Sequence, residues 1–185
     1  MNLFDLGRFH ALVDYAHNPH SYEALAGFVR NWPGECIGVV GGPGDRRDED
    51  FVTLGRLSAG MFDRVVVKED DDNRGRPRGD AAKWIVEGLQ QANPDCRFEV
   101  ILDETTAIET ALDTAPLNSL VVILPESVSR SIQLIEARNP APTADTEAPT
   151  LPVTPVLTEP ASPSEPVEVT AEVATETTEL APFTP

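Results

Sequence analysis

Cysteine is scarce, with only Cys36 and Cys96 in 185 residues. Neither stands in a metal-ligand spacing or a redox pair, which argues against a disulfide scaffold, a thiolate metal site and dithiol chemistry. This sparing use fits a reduced compartment. No apolar run approaches the roughly 20 residues that a membrane-spanning helix needs, and the opening MNLFDLGRFH lacks the charged-then-apolar pattern of a secretory signal. A cytoplasmic chain with no membrane partner is therefore expected. Positive charge is also short: 14 Lys and Arg face 31 Asp and Glu, for a net charge of −17. Such a balance argues against a nucleic-acid partner held by phosphate neutralisation.

What the sequence does have is distributed unevenly. From residue 141 to the end there are nine prolines and eight carboxylates, no Lys or Arg, and Phe183 as the single aromatic. A stretch of that composition buries too little apolar surface to offset the cost of ordering the chain. Residues 140–185 are expected to be a disordered acidic Pro/Thr-rich tail, a linker or solubilising segment, and residues 1–139 a single folded domain. That domain is acidic as well, since residues 1–140 still hold 23 acids against 14 bases.

Within the domain, short β-branched runs alternate with helical patterns. Strands are expected at 11–15, 36–40, 64–68, 98–102 and 120–124, with a further short one at 3–6. Helices are expected at 21–32, 48–62, 80–92, 105–114 and 127–138. The runs Val65-Val66-Val67 and Val121-Val122-Ile123-Leu124 are apolar throughout, as suits strands covered on both faces. The reading is an α/β fold, doubly wound around a mostly parallel sheet of five or six strands. Pro33-Gly34 and Asn93-Pro94 punctuate the first and third helices.

In open α/β sheets ligands bind beyond the carboxyl ends of the strands, so the loops there deserve the closest reading. The first is Asp14-Tyr15-Ala16-His17-Asn18-Pro19, where a helix start offers unpaired N–H groups to an anionic or nucleotide ligand. Its alternative is a capped turn with a surface histidine. The second, Gly41-Gly42-Pro43-Gly44-Asp45-Arg46-Arg47-Asp48, lets the backbone approach a ligand closely and places both signs of charge at the rim. It matches neither a dinucleotide fingerprint nor a P-loop; a glycine-rich turn with a local Asp–Arg pair is the alternative. The third loop opens with Lys68-Glu69-Asp70-Asp71-Asp72-Asn73-Arg74 and continues through Arg76 and Arg78. Its carboxylates could take a cationic ligand or a metal, and its arginines a substrate carboxylate, unless the two sets neutralise each other within the loop. An EF-hand calcium loop does not fit the spacing.

Three such loops in this order resemble the C-terminal domain of the Mur ligase superfamily, in which a motif like DYAHNP opens the domain. Together with GGPGDRRD, KEDDDNRGRPRG and the ending LVVILPESVSRSI, they most resemble the cyanophycin synthetase family. The resemblance covers residues 3–138. It implies a Rossmann-like lid lobe of an ATP-dependent amide ligase, which activates a carboxylate as an acyl phosphate and joins arginine to aspartate side chains of a poly-aspartate backbone. By resemblance, Asp14, Tyr15, His17 and Asn18 would lie near the adenosine of ATP. Glu69, Asp70, Asp71, Asp72, Asn73 and Arg74, with Asp45 and Arg46, would bind the incoming arginine. The chain has no GxxxxGK[ST] sequence, so ATP and Mg2+ would be held largely by a P-loop central domain acting in trans, without which the lobe is expected to be inactive. The other reading is a non-catalytic binding module for arginine, cyanophycin or nucleotide.

Overall fold

The structure is a computed structural model and describes residues 1–138; the expected tail lies outside the described residues. Eleven elements follow one another as β1 (Asn2–Asp5), β2 (His10–Val13), α1 (Pro19–Val29), β3 (Cys36–Val40), α2 (Asp48–Ala59), β4 (Arg64–Val67), α3 (Asp80–Ala92), β5 (Arg97–Val100), α4 (Glu104–Asp113), β6 (Leu120–Ile123) and α5 (Val128–Glu136). The six strands form one sheet in the order β1-β2-β6-β3-β4-β5. Only β1 runs antiparallel, pairing Leu3 with Leu12 and Phe4 with Ala11. The short strand expected near the N-terminus is therefore real, and it makes the sheet mixed but mostly parallel.

Alternation along the strands sorts their side chains into two cores. Leu12, Val40, Val65, Val67, Leu120 and Val122 turn to one face and meet Tyr22 and Leu25 of α1, Phe51 and Leu54 of α2, and Ile85 and Leu89 of α3. Ala11, Val13, Ile37, Val39, Val66, Val121 and Ile123 turn to the other and meet Ala107, Ile108 and Ala111 of α4 and Ile135 of α5. Most of these side chains are wholly buried, and burying one Val, Leu, Ile or Phe contributes about 1.5–3 kcal/mol. Covering both faces explains why the central strands read as unbroken apolar runs.

Several elements are shorter than their sequence patterns, each for a local reason. The first helix stops at Val29, and the following turn is tied across the sheet by Trp32 Nε1 donating to the carbonyl of Asn118 at 3.0 Å. Gly60 caps α2, so Met61 and Phe62 leave the helix yet remain buried. Strand β5 ends at Val100 because the backbone beyond it serves the neighbouring loop, where Glu69 N–H donates to Leu102 O at 3.1 Å. Among the described residues no helix is long and apolar enough to cross a membrane.

Candidate functional site

Parallel strands β2, β6, β3 and β4 all end on one rim of the sheet, and their following loops converge there. A cleft of about 150 Å³ lies between them. Tyr15, Ala16 and His17 line it after β2; Gly41, Gly42 and Pro43 after β3; Lys68, Asp70 and Arg74 after β4; and Leu124, Pro125 and Glu126 after β6. The histidine-containing turn and the acidic loop thus border the same space.

The first loop is shaped by the start of α1. Asn18 is its N-cap, accepting from Ser21 N–H at 3.0 Å, while Ser21 Oγ accepts from the N–H groups of Asn18 and His17 at 3.2 Å each. Pro19 then enters at the position where a missing N–H costs nothing. This reciprocal capping holds the backbone before the helix and leaves Tyr15 59% exposed. The rings of Tyr15 and His17 lie 4.9 Å apart at 54°, with His17 Nδ1 at 2.9 Å from the Tyr15 carbonyl. They present a small aromatic wall to the cleft.

The second and third loops lock onto each other, and the third also pairs charges within itself, Lys68 with Asp70 and Arg78 with Glu69. Arg76 reaches from the third loop into the second, donating to the carbonyls of Gly44 at 2.8 Å and Arg46 at 2.6 Å and to Asp48 at 2.7 Å. Its guanidinium also rests over the Phe51 ring at 5.0 Å. Arg74 pairs with Asp45 across the same seam at 2.7 Å, and this holds the exposed Asp45 carboxyl below the usual range. A Cβ at Gly44 would stand 2.0 Å from the carbonyl oxygen of Asn73, so only glycine allows the loops to meet this closely. Arg74 itself has φ 48, in the left-handed region that favours glycine.

Beneath the cleft lies a buried ionic web. Lys68 Nζ donates to Asp70 at 2.7 Å and to Glu104 at 2.6 Å, and both Lys68 and Glu104 are essentially inaccessible. Glu104 opens α4 and also accepts from Glu126 N–H at 2.6 Å and from Arg130 Nη2 at 2.8 Å. Arg130 continues the chain of contacts to Asp71 at 2.6 Å. Burial pushes the Glu104 carboxyl up, but the charge and hydrogen bond of Lys68 and the bonds from Arg130 and Glu126 outweigh it and hold the group below its ordinary range. Glu69, also buried, faces the other way and caps α3: its carboxylate accepts from Gly79 N–H at 2.8 Å, Ala82 N–H at 3.1 Å and Asn73 Nδ2 at 3.1 Å.

Of the residues singled out in the sequence, Tyr15, His17, Asp70 and Arg74 border the cleft. Asn18 and Glu69 cap helices, Asn73 braces Glu69, and Asp72 accepts from Arg74 N–H at 2.8 Å. Asp71 is bound to Arg130 and, through its N–H, to Glu126 at 2.9 Å. Asp14 sits at the end of β2 with its N–H on Ile123 O, Asp45 pairs with the cleft residue Arg74 across the seam, and Arg46 offers its carbonyl to Arg76. Lys68, in the third loop, and Glu126 and Arg130, in the ending LVVILPESVSRSI, belong to the motifs that carry the resemblance but have no role assigned from it, and Glu104 lies outside those motifs. The helical pattern of ETTAIETALD gives no sign that its first residue is buried, because the partners lie 36 and 26 residues away. Among the described residues no group of His, Cys, Asp and Glu is arranged to hold a metal.

A family model described as "Mur ligase, glutamate ligase domain" matches residues 1–127, a span that takes in every loop of this rim. The chain belongs to that family. Within it, this Mur ligase C-terminal domain is closely related to the C-terminal lobe of cyanophycin synthetase. It is 69% identical over 139 residues to the cyanophycin synthetase of Nostoc sp., covering 75% of this chain and 15% of that protein. With that of Synechocystis sp. it shares 60% over 140 residues, covering 76% of this chain and 16% of that one. The chain thus spans about a sixth of the length of these relatives. Among solved structures, its fold matches a UDP-N-acetylmuramoyl-L-alanyl-D-glutamate–2,6-diaminopimelate ligase with TM-score 0.61 at 18% identity, over 75% of this chain and 31% of that one. It also matches E. coli FolC in complex with DHPP and ADP, with TM-score 0.54 at 22% identity over 70% and 29%. At these identities the likeness is one of fold.

Proposed function

We propose that residues 1–139 act as the C-terminal lid lobe of an ATP-dependent amide ligase of the cyanophycin synthetase type, with 140–185 as an appended tail. The reaction joins arginine to aspartate side-chain carboxylates. ATP phosphorylates the carboxylate, the arginine amine attacks the acyl phosphate, and inorganic phosphate leaves. The observation that carries this reading is the convergence of an aromatic wall (Tyr15, His17) and a charged wall of both signs (Lys68, Asp70, Arg74, Glu126) on one cleft, in a chain 69% identical to such a synthetase over 139 residues.

In this reading Tyr15 and His17 meet the adenosine of ATP, while Asp14 and Asn18 hold the turn that presents them. Asp70, mostly buried and bound through Oδ1 to Lys68, has its other carboxylate oxygen left for the arginine guanidinium at the charged wall. Arg74, steadied by Asp45, is placed to meet the arginine carboxylate. Glu69 and Asn73 brace that wall from behind, the exposed Asp71 and Asp72 stand on its open side, and Arg46 follows Asp45 in the neighbouring loop. The described residues fit the adenosine end of ATP and not its triphosphate. The Lys68 ammonium is already taken by two carboxylates, and nothing in the sequence forms a P-loop. Triphosphate and Mg2+ are assigned in this reading to a P-loop ligase domain that the lobe closes upon, in the cytoplasm.

The test is reconstitution. The chain is mixed with a cyanophycin synthetase lacking its own C-terminal lobe, ATP, Mg2+, labelled arginine and a poly-aspartate primer. Arginine incorporation should rise well above that of the truncated partner alone. Incorporation equal to the partner's own background would overturn the proposal.

A further inference from the structure

The sheet has two open margins, and they are chemically different. At one, β1 carries a single charge, Asp5. At the other, β5 reads Arg97-Phe98-Glu99-Val100, and among the described residues no strand pairs with its outer side. Ile101 gives its N–H inward to Val67 O at 2.9 Å. Alternation along the strand therefore turns the backbone donors and acceptors of Phe98 and Val100 outward, ready for another strand. Val100 is 47% exposed, large for an aliphatic residue, and borders a groove of about 470 Å³ whose apolar wall includes Ala82, Val86 and Leu102.

We infer that β5 pairs antiparallel with β5 of a second copy of this chain, extending the sheet across a two-fold axis at Phe98. The register follows from charge. With Phe98 opposite its own counterpart, Arg97 of each copy faces Glu99 of the other, twice over. Moving the axis to Arg97 or Glu99 would set like charges directly opposite, which destabilises a pair of strands. The same register makes Phe98 the hydrogen-bonded pair, as its outward backbone requires, and leaves Arg97 and Glu99 at the non-hydrogen-bonded positions where side chains come closest. It also sets Val100 of each copy opposite Cys96 of the other, so that the exposed valine is covered at the seam. The pairs these side chains already make are loose or open to solvent. Arg97 contacts Glu35 at 3.0 Å while 63% exposed, and Glu99 lies 3.7 Å from Arg64 while 39% exposed. Neither surface contact strongly opposes a second partner. A two-fold contact of this kind is self-complementary and closes on itself, so it gives a dimer and not a fibre.

Charge exchange tests this directly. Analytical ultracentrifugation of the full chain should show a species of twice the monomer mass whose population rises with concentration. Arg97→Glu and Glu99→Arg should each weaken self-association by roughly tenfold or more, since two attractive cross-strand pairs become repulsive. Mixing the two single variants should restore association as a heterodimer, and the double exchange Arg97→Glu/Glu99→Arg should restore the homodimer. Circular dichroism and thermal unfolding of each variant check that the fold is retained; where a single exchange unfolds, Val100→Pro, which removes an outward N–H, takes its place and should also dissociate the dimer. A chain that stays monomeric up to millimolar concentration overturns the inference. So does a dimer indifferent to these changes, or single variants that dissociate without rescue by mixing.

Discussion

Two sets of acidic and basic side chains occupy the carboxyl rim, both centred on the loop after β4, yet they do opposite work. Lys68, Glu69 and Glu104 are buried and spend every polar atom on the protein itself, whereas Asp45 and Arg74 stand half exposed at the cleft mouth with one strong bond between them. A buried pair is hard to lose because removing one member strands the other in a dry site. An exposed pair is nearly free to change partners. The difference teaches that the acidic loop combines two functions: its first residues fasten β4 to α3, α4 and α5, and only what stays open is available to a ligand.

The strongest way to break this comparison is Glu104→Ala. It leaves Lys68 with one carboxylate and removes the acceptor of Arg130 and of Glu126 N–H, and stability should fall by about 3–5 kcal/mol in urea unfolding. A loss below about 1 kcal/mol would mean that the buried web behaves like a surface pair. Acid sharpens the same point. The Glu104 carboxyl is held below its ordinary range in the folded protein, so its stabilisation is complete above the unfolded value near ~4.3 and is lost as pH falls through the lower folded value. Glu104→Gln should flatten that acid limb while lowering stability at neutral pH.

Next in size is Glu69→Ala, which deprives the N–H groups of Gly79 and Ala82 of a charged acceptor. About 2–3 kcal/mol should be lost, with amide exchange accelerated at the start of α3. Asn18→Ala removes a single cap from α1 and should cost about 1 kcal/mol. An effect of Asn18 as large as that of Glu104 would erase the distinction between rim and foundation.

Much of this architecture is legible without coordinates. The central strands β3, β4 and β6 announce themselves as β-branched runs, and Asn18-Pro19 marks a helix start by known chemistry. The kinship of the three loops with Mur ligases was visible in DYAHNP, GGPGDRRD and KEDDDNRGRPRG. What could not be read is which charges are buried. Glu69 and Asp72 look equivalent in a run of acids, but β4 ends so that Glu69 points under the α3 N-terminus, where Gly79 adopts φ 89, while Asp72 points to solvent. That choice depends on contacts with α3, α4 and α5, far off in sequence.

The smallest effect on stability, and the sharpest division between the two sets, is expected at Arg74. Its backbone sits at φ 48, a conformation glycine adopts without strain, and its side chain holds only the exposed Asp45 and lies at the cleft mouth. Arg74→Gly should therefore leave the unfolding midpoint unchanged or slightly raised. In the reconstituted ligase, the same change should raise the KM for arginine several-fold with kcat little altered, because a ground-state contact has been removed. Asp45→Asn should move KM in the same direction by less, since Arg74 remains but is no longer held. A strained, exposed arginine that contributes nothing to folding is what a binding role at this position requires. If Arg74→Gly instead destabilised the chain as Glu69→Ala does, the cleft mouth would belong with the buried foundation and the acidic loop would have one function, not two.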